Sequence, residues 1–131
     1  MTPSVAGDIF VSRRLGCGGF GPASAVSGLN DAAGNDIQPN VRKDGLEVVF
    51  SSNRPGGAGL QDIWVATRQT VHHSWAPPVN LGPAVNTAAS ETRPSLSWRA
   101  EQLLFGRSPG PEGMSDVYVT TREKVKDGDD D

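Results

Sequence analysis

The sequence predicts an all-β fold, an incomplete β-propeller made of about two and a half four-stranded antiparallel blades. Three observations carry that prediction: a long internal repeat, strand-like runs bounded by turn residues inside each repeat, and a composition that favours turns over helices. The repeat shows in Asp8-Ile9-Phe10-Val11-Ser12-Arg13, Asp62-Ile63-Trp64-Val65-Ala66-Thr67-Arg68 and Asp116-Val117-Tyr118-Val119-Thr120-Thr121-Arg122, whose aspartates are spaced 54 positions apart. A second set of matches recurs at 55 positions: Phe20-Gly21-Pro22 with Trp75-Ala76-Pro77, Pro39-Asn40-Val41 with Pro94-Ser95-Leu96, and Val48-Val49-Phe50 with Leu103-Leu104-Phe105.

The elements follow in order. Asp8–Arg13 and Phe20–Gly28 read as the third and fourth strands of a first blade (residues 1–28). The complete second blade (29–82) takes strands near Ile37–Arg42, at Leu46–Ser51, at Asp62–Thr67 and near Pro77–Gly82. The third (83–122) takes Thr92–Ser97, Gln102–Gly106 and Asp116–Thr121 and lacks its outer strand. Along Asp62–Thr67, Ile63, Val65 and Thr67 alternate with Trp64 and Ala66, the pattern of a sheet covered on both faces. Lys43-Asp44-Gly45 reads as a hairpin turn in which Gly supplies the positive φ, and Arg54–Gly59 is too rich in Gly for a regular element. At 131 residues the chain holds about 2.4 repeats, whereas closed propellers have about four to eight blades. The expectation is a piece of a longer propeller or a chain that self-associates through exposed blade edges.

The 131 residues include 16 Gly, 10 Pro and a single Cys, with 12 Lys+Arg against 15 Asp+Glu for a net charge of -3. That balance excludes the clustered basic surface that nucleic acids or anionic membranes select. The one dense charge run, Asp127-Gly128-Asp129-Asp130-Asp131, reads as the end of a solvated acidic tail over 123–131. Cys17 has no partner for an intramolecular disulfide and reads as a free thiol in a Gly-rich loop. Residues 1–7 show no signal-peptide pattern, and no window approaches the ~20 apolar residues of a membrane span.

Pro39–Gly59, closed by Asp62-Ile63-Trp64-Val65, resembles the blade repeat of the TolB-type β-propellers, a WD40-like family. In that repeat a Pro-x-x-Ser-x-Asp-Gly turn precedes an apolar strand ending in Phe-Ser-Ser-x-Arg. Pro94–Phe105 repeats it with departures: Arg99-Ala100 stand where Asp-Gly is expected, and Phe105-Gly106-Arg107-Ser108 is shorter than Phe50–Arg54. The resemblance spans Asp8 to Arg122 and implies a propeller making protein–protein contacts in the cell envelope, in a periplasmic or other extracytoplasmic compartment.

Asp8, Asp62 and Asp116 recur at one position at the head of a strand, so each is expected to accept backbone N–H bonds from the preceding loop. Pro39, Pro94, Phe50, Phe105 and Trp75 complete the structural signature, with Trp75 and Phe20 expected to pack between blades. Arg13, Arg68, Arg122, Arg54 and Arg107 read as loop anchors or exposed cations. His72-His73 have no partner at metal-ligand spacing, and Asp36, Asp44 and Glu91 match no calcium loop. Ser51-Ser52 and Ser95-x-Ser97 lack a nucleophile elbow, and Gly56–Gly59 lacks the end of a phosphate loop. The expectation is therefore a non-catalytic module without cofactor or metal that binds a protein, a peptide or a glycan. Its rim candidates are Asn53, Arg54 and Arg107 on loops Asn53–Gln61 and Gly106–Ser115. The alternative is the propeller portion of a peptidase or glycoside hydrolase whose catalytic residues lie outside this chain.

Overall fold

The computed structural model describes residues 7–109 and 115–123. Its strands are β1 (Phe10–Val11), β2 (Ser24–Ala25), β3 (Asp36–Val41), β4 (Glu47–Ser52), β5 (Asp62–Thr67), β6 (Val79–Asn80), β7 (Ser90–Leu96), β8 (Gln102–Ser108) and β9 (Asp116–Thr121). They form three open antiparallel sheets, β1-β2, β3-β4-β5-β6 and β7-β8-β9, and the described residues contain no helix. The chain is thus all-β, as its alternating apolar runs predict. The acidic segment 124–131 lies outside the described residues.

Local chemistry explains the strand bounds. β6, expected across Pro77–Gly82, pairs with β5 only at Val79 and Asn80. Pro77 and Pro78 have no N–H to offer a ladder, and Gly82 turns the chain away at a φ of 88°. Pro39 and Pro94 sit inside β3 and β7 because each strand carries a bulge there: the register shifts between Ile37 and Asn40, and again between Thr92 and Ser95. The residues before the two prolines, Gln38 and Arg93, have φ of 58° and 52°, so the same rare backbone state recurs 55 positions apart.

The β3–β4 and β7–β8 hairpins share one turn despite their different sequences. Gly45 N–H donates to Arg42 O at 2.8 Å, and Ala100 N–H donates to Ser97 O at 2.8 Å. Gly45 adopts φ 79° and Ala100 φ 60°, so the missing Asp-Gly leaves the turn unchanged and puts an alanine in the left-handed region, at a cost of about 1–2 kcal/mol. Each turn is held from the next strand. Arg68 Nε donates to Gly45 O at 2.8 Å, and Arg122 Nε donates to Ala100 O at 2.7 Å.

The β3–β6 sheet lies between the other two. On one face Val48, Phe50, Trp64 and Ala66 form a core with Ile9 and Leu29 of the β1–β2 unit. On the other, Val49, Ile63 and Val85 meet Leu103 and Phe105 of the β7–β9 sheet. Strand β5 feeds both cores by strict alternation, and β4 is buried at all of its positions. Burial of a residue such as Phe50, 0% exposed, contributes about 1.5–3 kcal/mol. Glu47 of β4 bridges the second interface: Arg122 Nη1 donates to its Oε2 at 2.9 Å and Nη2 to its Oε1 at 2.6 Å.

Phe20 departs from the expected packing role. It is 67% exposed and makes only an isolated bridge with Arg14, whereas Trp75 at the equivalent position packs against the first core under the Arg68 guanidinium, 4.0 Å from its ring. The reason is positional: Trp75 is covered by the β1–β2 unit, and no described element covers the far side of that unit.

Candidate functional site

Two of the expected rim residues are inner anchors of the sheets. Arg54 is buried and its Nη2 donates to Asp36 Oδ1 at 2.8 Å and to Leu29 O, while Nε reaches Ser52 Oγ at 3.1 Å. Its guanidinium lies over Phe50 and Trp64, 5.0 and 5.3 Å from their ring centres. Arg107 repeats the arrangement one sheet on. Its Nε donates to Glu91 Oε2 at 2.9 Å, its Nη2 to Val85 O at 2.9 Å, and it lies 4.2 Å from the Tyr118 ring and 5.7 Å from Phe105. Phe105 and Tyr118 stack with ring centres 5.9 Å apart.

Both carboxylates are fully buried, and their other lone pairs are used. Asp36 accepts from Ser52 Oγ at 2.6 Å and from Asp31 N–H at 2.8 Å; Glu91 accepts from Thr87 N–H at 3.0 Å and Thr87 Oγ1 at 2.7 Å. A charge pair closed in this way holds a loop against a sheet and commits Nε and Nη2 of each arginine to partners within the chain. Asn53, by contrast, is exposed and accepts from Asn35 N–H at 2.7 Å. The second rim loop is described only to Pro109 and from Ser115, so its tip lies outside the described residues.

The repeated aspartates differ in surroundings. Asp62 is 1% exposed and its Oδ2 accepts from Ala58 N–H in the preceding loop and from Asn80 Nδ2 at 3.1 Å. Gly57 permits this, because a Cβ there would collide with that carboxylate. Asp8 is exposed and Asp116 half-buried. A pair of asparagines does related work: Asn30 grips Ile9 through both its N–H and C=O, at 2.7 and 2.9 Å, and Asn86 grips Ile63 at the same two distances. These clamps, and the anchor partners Asp36 and Glu91, were not singled out as structural by sequence reasoning. Their signal was the same period, since Asp36 and Glu91 are 55 positions apart and Asn30 and Asn86 are 56 apart.

Other titratable groups are surface or bridging residues. The Arg42 guanidinium hydrogen-bonded to Asp44 holds that carboxyl below its usual range, and the Glu47 carboxylate pushes Arg122 further up. His73 Nδ1 lies 2.7 Å from Thr70 Oγ1 on an exposed loop. No group of three or more His, Cys, Asp or Glu side chains among the described residues is placed to hold a metal ion, and no described helix is long and apolar enough to cross a membrane.

Two concave features lie among the described residues: a cavity of about 160 Å³ between the central and β7–β9 sheets, and an open groove of about 390 Å³ between the β1–β2 unit and the central sheet. The floor and walls of the groove are apolar, from Ile9, Phe10, Val26, Leu29, Val48 and Trp75, with Pro39 and Val41 at one side and Arg68 and His73 at the other. Repeat equivalence explains the opening. Pro94 is buried and Leu96 half-buried against the central sheet, yet Pro39 and Val41 at the same positions are exposed, because the β1–β2 unit has no described strands that match β3 and β4. Such a groove accepts an apolar segment, and the Arg68 cation on Trp75 offers charge at its edge. No protein-family model matches the chain, and comparison with curated proteins finds no match.

Proposed function

We propose that the chain is part of a β-propeller of the TolB type and acts as a non-catalytic interaction module that takes an apolar segment of a protein or peptide partner. The observation that carries the binding reading is the apolar groove between the first two sheets, whose volume falls in the range typical of ligand sites. The propeller reading is supported by three antiparallel sheets stacked face to face, each later sheet anchored by the same Arg–carboxylate pair over two aromatic rings. Strand addition suits the groove: among the described residues β1 pairs only with β2, so its other edge offers backbone groups beside the apolar floor.

Selection from a displayed random-peptide library tests this. Enriched peptides are expected to carry large apolar side chains at alternate positions, and Val41→Asp, at a residue 50% exposed in the free protein, is expected to weaken them about tenfold or more. Failure to enrich any sequence, or enriched peptides indifferent to Val41→Asp, contradicts the reading.

A further inference from the structure

The outer face of the β7–β9 sheet is a copy of a face that is covered elsewhere in the same chain. Val117, Val119 and Leu104 are 78%, 59% and 40% exposed. By the repeat they match Ile63, Val65 and Val49, which pack against Leu103, Phe105 and Tyr118 in the second core. The opposite end of the stack shows the complementary deficit. Phe10 and Phe20, 59% and 67% exposed, stand at the positions of Trp64 and Trp75, which the central sheet buries or packs against the β1–β2 unit. The series Phe10, Trp64, Tyr118 is aromatic throughout, and only its first member has no described sheet over it.

We propose that these two ends are halves of one interface, so that a second copy of this chain docks head to tail, its Phe10 and Phe20 side seated on Leu104, Val117 and Val119. The interface already present between the second and third sheets is the template: an aromatic-bearing face against a valine- and leucine-bearing face in the same register. Its readout is separate from that of the peptide groove: Phe10 lines both surfaces, but Leu104, Val117 and Val119 line no part of the groove, and Val41, which reports on the groove, lies in the central sheet. Because the two surfaces differ, the contact is heterologous, and repetition gives a ring or an open fibre rather than a two-fold dimer. Apolar faces of this kind left uncovered favour association.

The test uses the full chain with Phe10→Arg and Val119→Arg, both at exposed positions, and circular dichroism to check that the strands persist. Light scattering on the unaltered protein over a wide concentration range is expected to give masses at multiples of 13.8 kDa. Each variant alone is expected to fall to the monomer mass, since each has lost one half of every contact. An equimolar mixture is expected to recover a dimer and stop there, because the Phe10→Arg chain keeps its valine face and the Val119→Arg chain keeps its aromatic face. A monomeric unaltered protein overturns the proposal. So does an assembly that survives Phe10→Arg, which would mean that the valine face pairs with itself, or a mixture that stays monomeric.

Discussion

Replacing Arg54 by Met is expected to destabilise the fold by about 3–5 kcal/mol, because the change keeps most of the side chain's bulk but leaves the Asp36 carboxylate buried without its counter-charge. Asp36 has 0% exposure, so water cannot take the place of the guanidinium. Leu29 O loses a donor at the same time, and the ring faces of Phe50 and Trp64 lose the cation above them. Total stabilities of small domains run to about 5–15 kcal/mol, so a loss of that size removes a large part of the whole. Urea unfolding followed by tryptophan fluorescence reads it, with Trp64 inside the affected core. The double variant Arg54→Met with Asp36→Asn separates charge from packing: removing both charges is expected to recover part of the loss. A single-variant loss below about 1 kcal/mol, the range of exposed ion pairs, would contradict the buried anchor.

Phe50→Ala is expected to cost about 3–5 kcal/mol, because its ring fills the interface between the central sheet and the β1–β2 unit and has no exposure to lose. In the monomeric Val119→Arg background, Phe20→Ala, at a position that the repeat alone ranks with Trp75, is expected to change stability by no more than about 0.5 kcal/mol, since its ring is 67% exposed in the single chain. The pair of unfolding curves therefore distinguishes burial by stacking from membership of the repeat. Equal losses at the two positions in that monomeric background would mean that the β1–β2 unit is covered on both sides within one chain. Phe50 also lies under Arg54, so its effect and that of Arg54→Met are expected to be non-additive.

Much of the architecture was legible in the chain because strand alternation and turn residues are local. β5 and β9 have the bounds their sequences predict, and the alternation of Ile63 and Val65 with Trp64 and Ala66 reports two covered faces. The shared turn at Gly45 and Ala100 was hidden, because the second copy has no glycine; the bond within the turn and one from Arg122, just past β9, hold the alanine in the left-handed region. The anchors were blurred for a different reason. Arg54 and Arg107 are 53 positions apart, out of step with the strands, and their partners Asp36 and Glu91 precede them by a whole hairpin. Val117 and Ile63 look alike in sequence, yet one is 78% exposed and the other 0%, since burial is set by the neighbouring sheet rather than by the strand itself. The groove was not visible for the same reason: Pro39 and Val41 are open only because of what does not lie over them.

The β3–β6 sheet is sandwiched, one face on the β1–β2 unit and the other on the β7–β9 sheet. Nuclear Overhauser contacts in a methyl-labelled sample of the whole chain test it most directly. Contacts are expected from Ile9 and Leu29 to the Phe50 and Trp64 rings, and a separate set from Ile63 and Val49 to Leu103 and Phe105. Contacts from Ile63 and Trp64 to one shared set of partners, or contacts from Val117 to Val49, would contradict it.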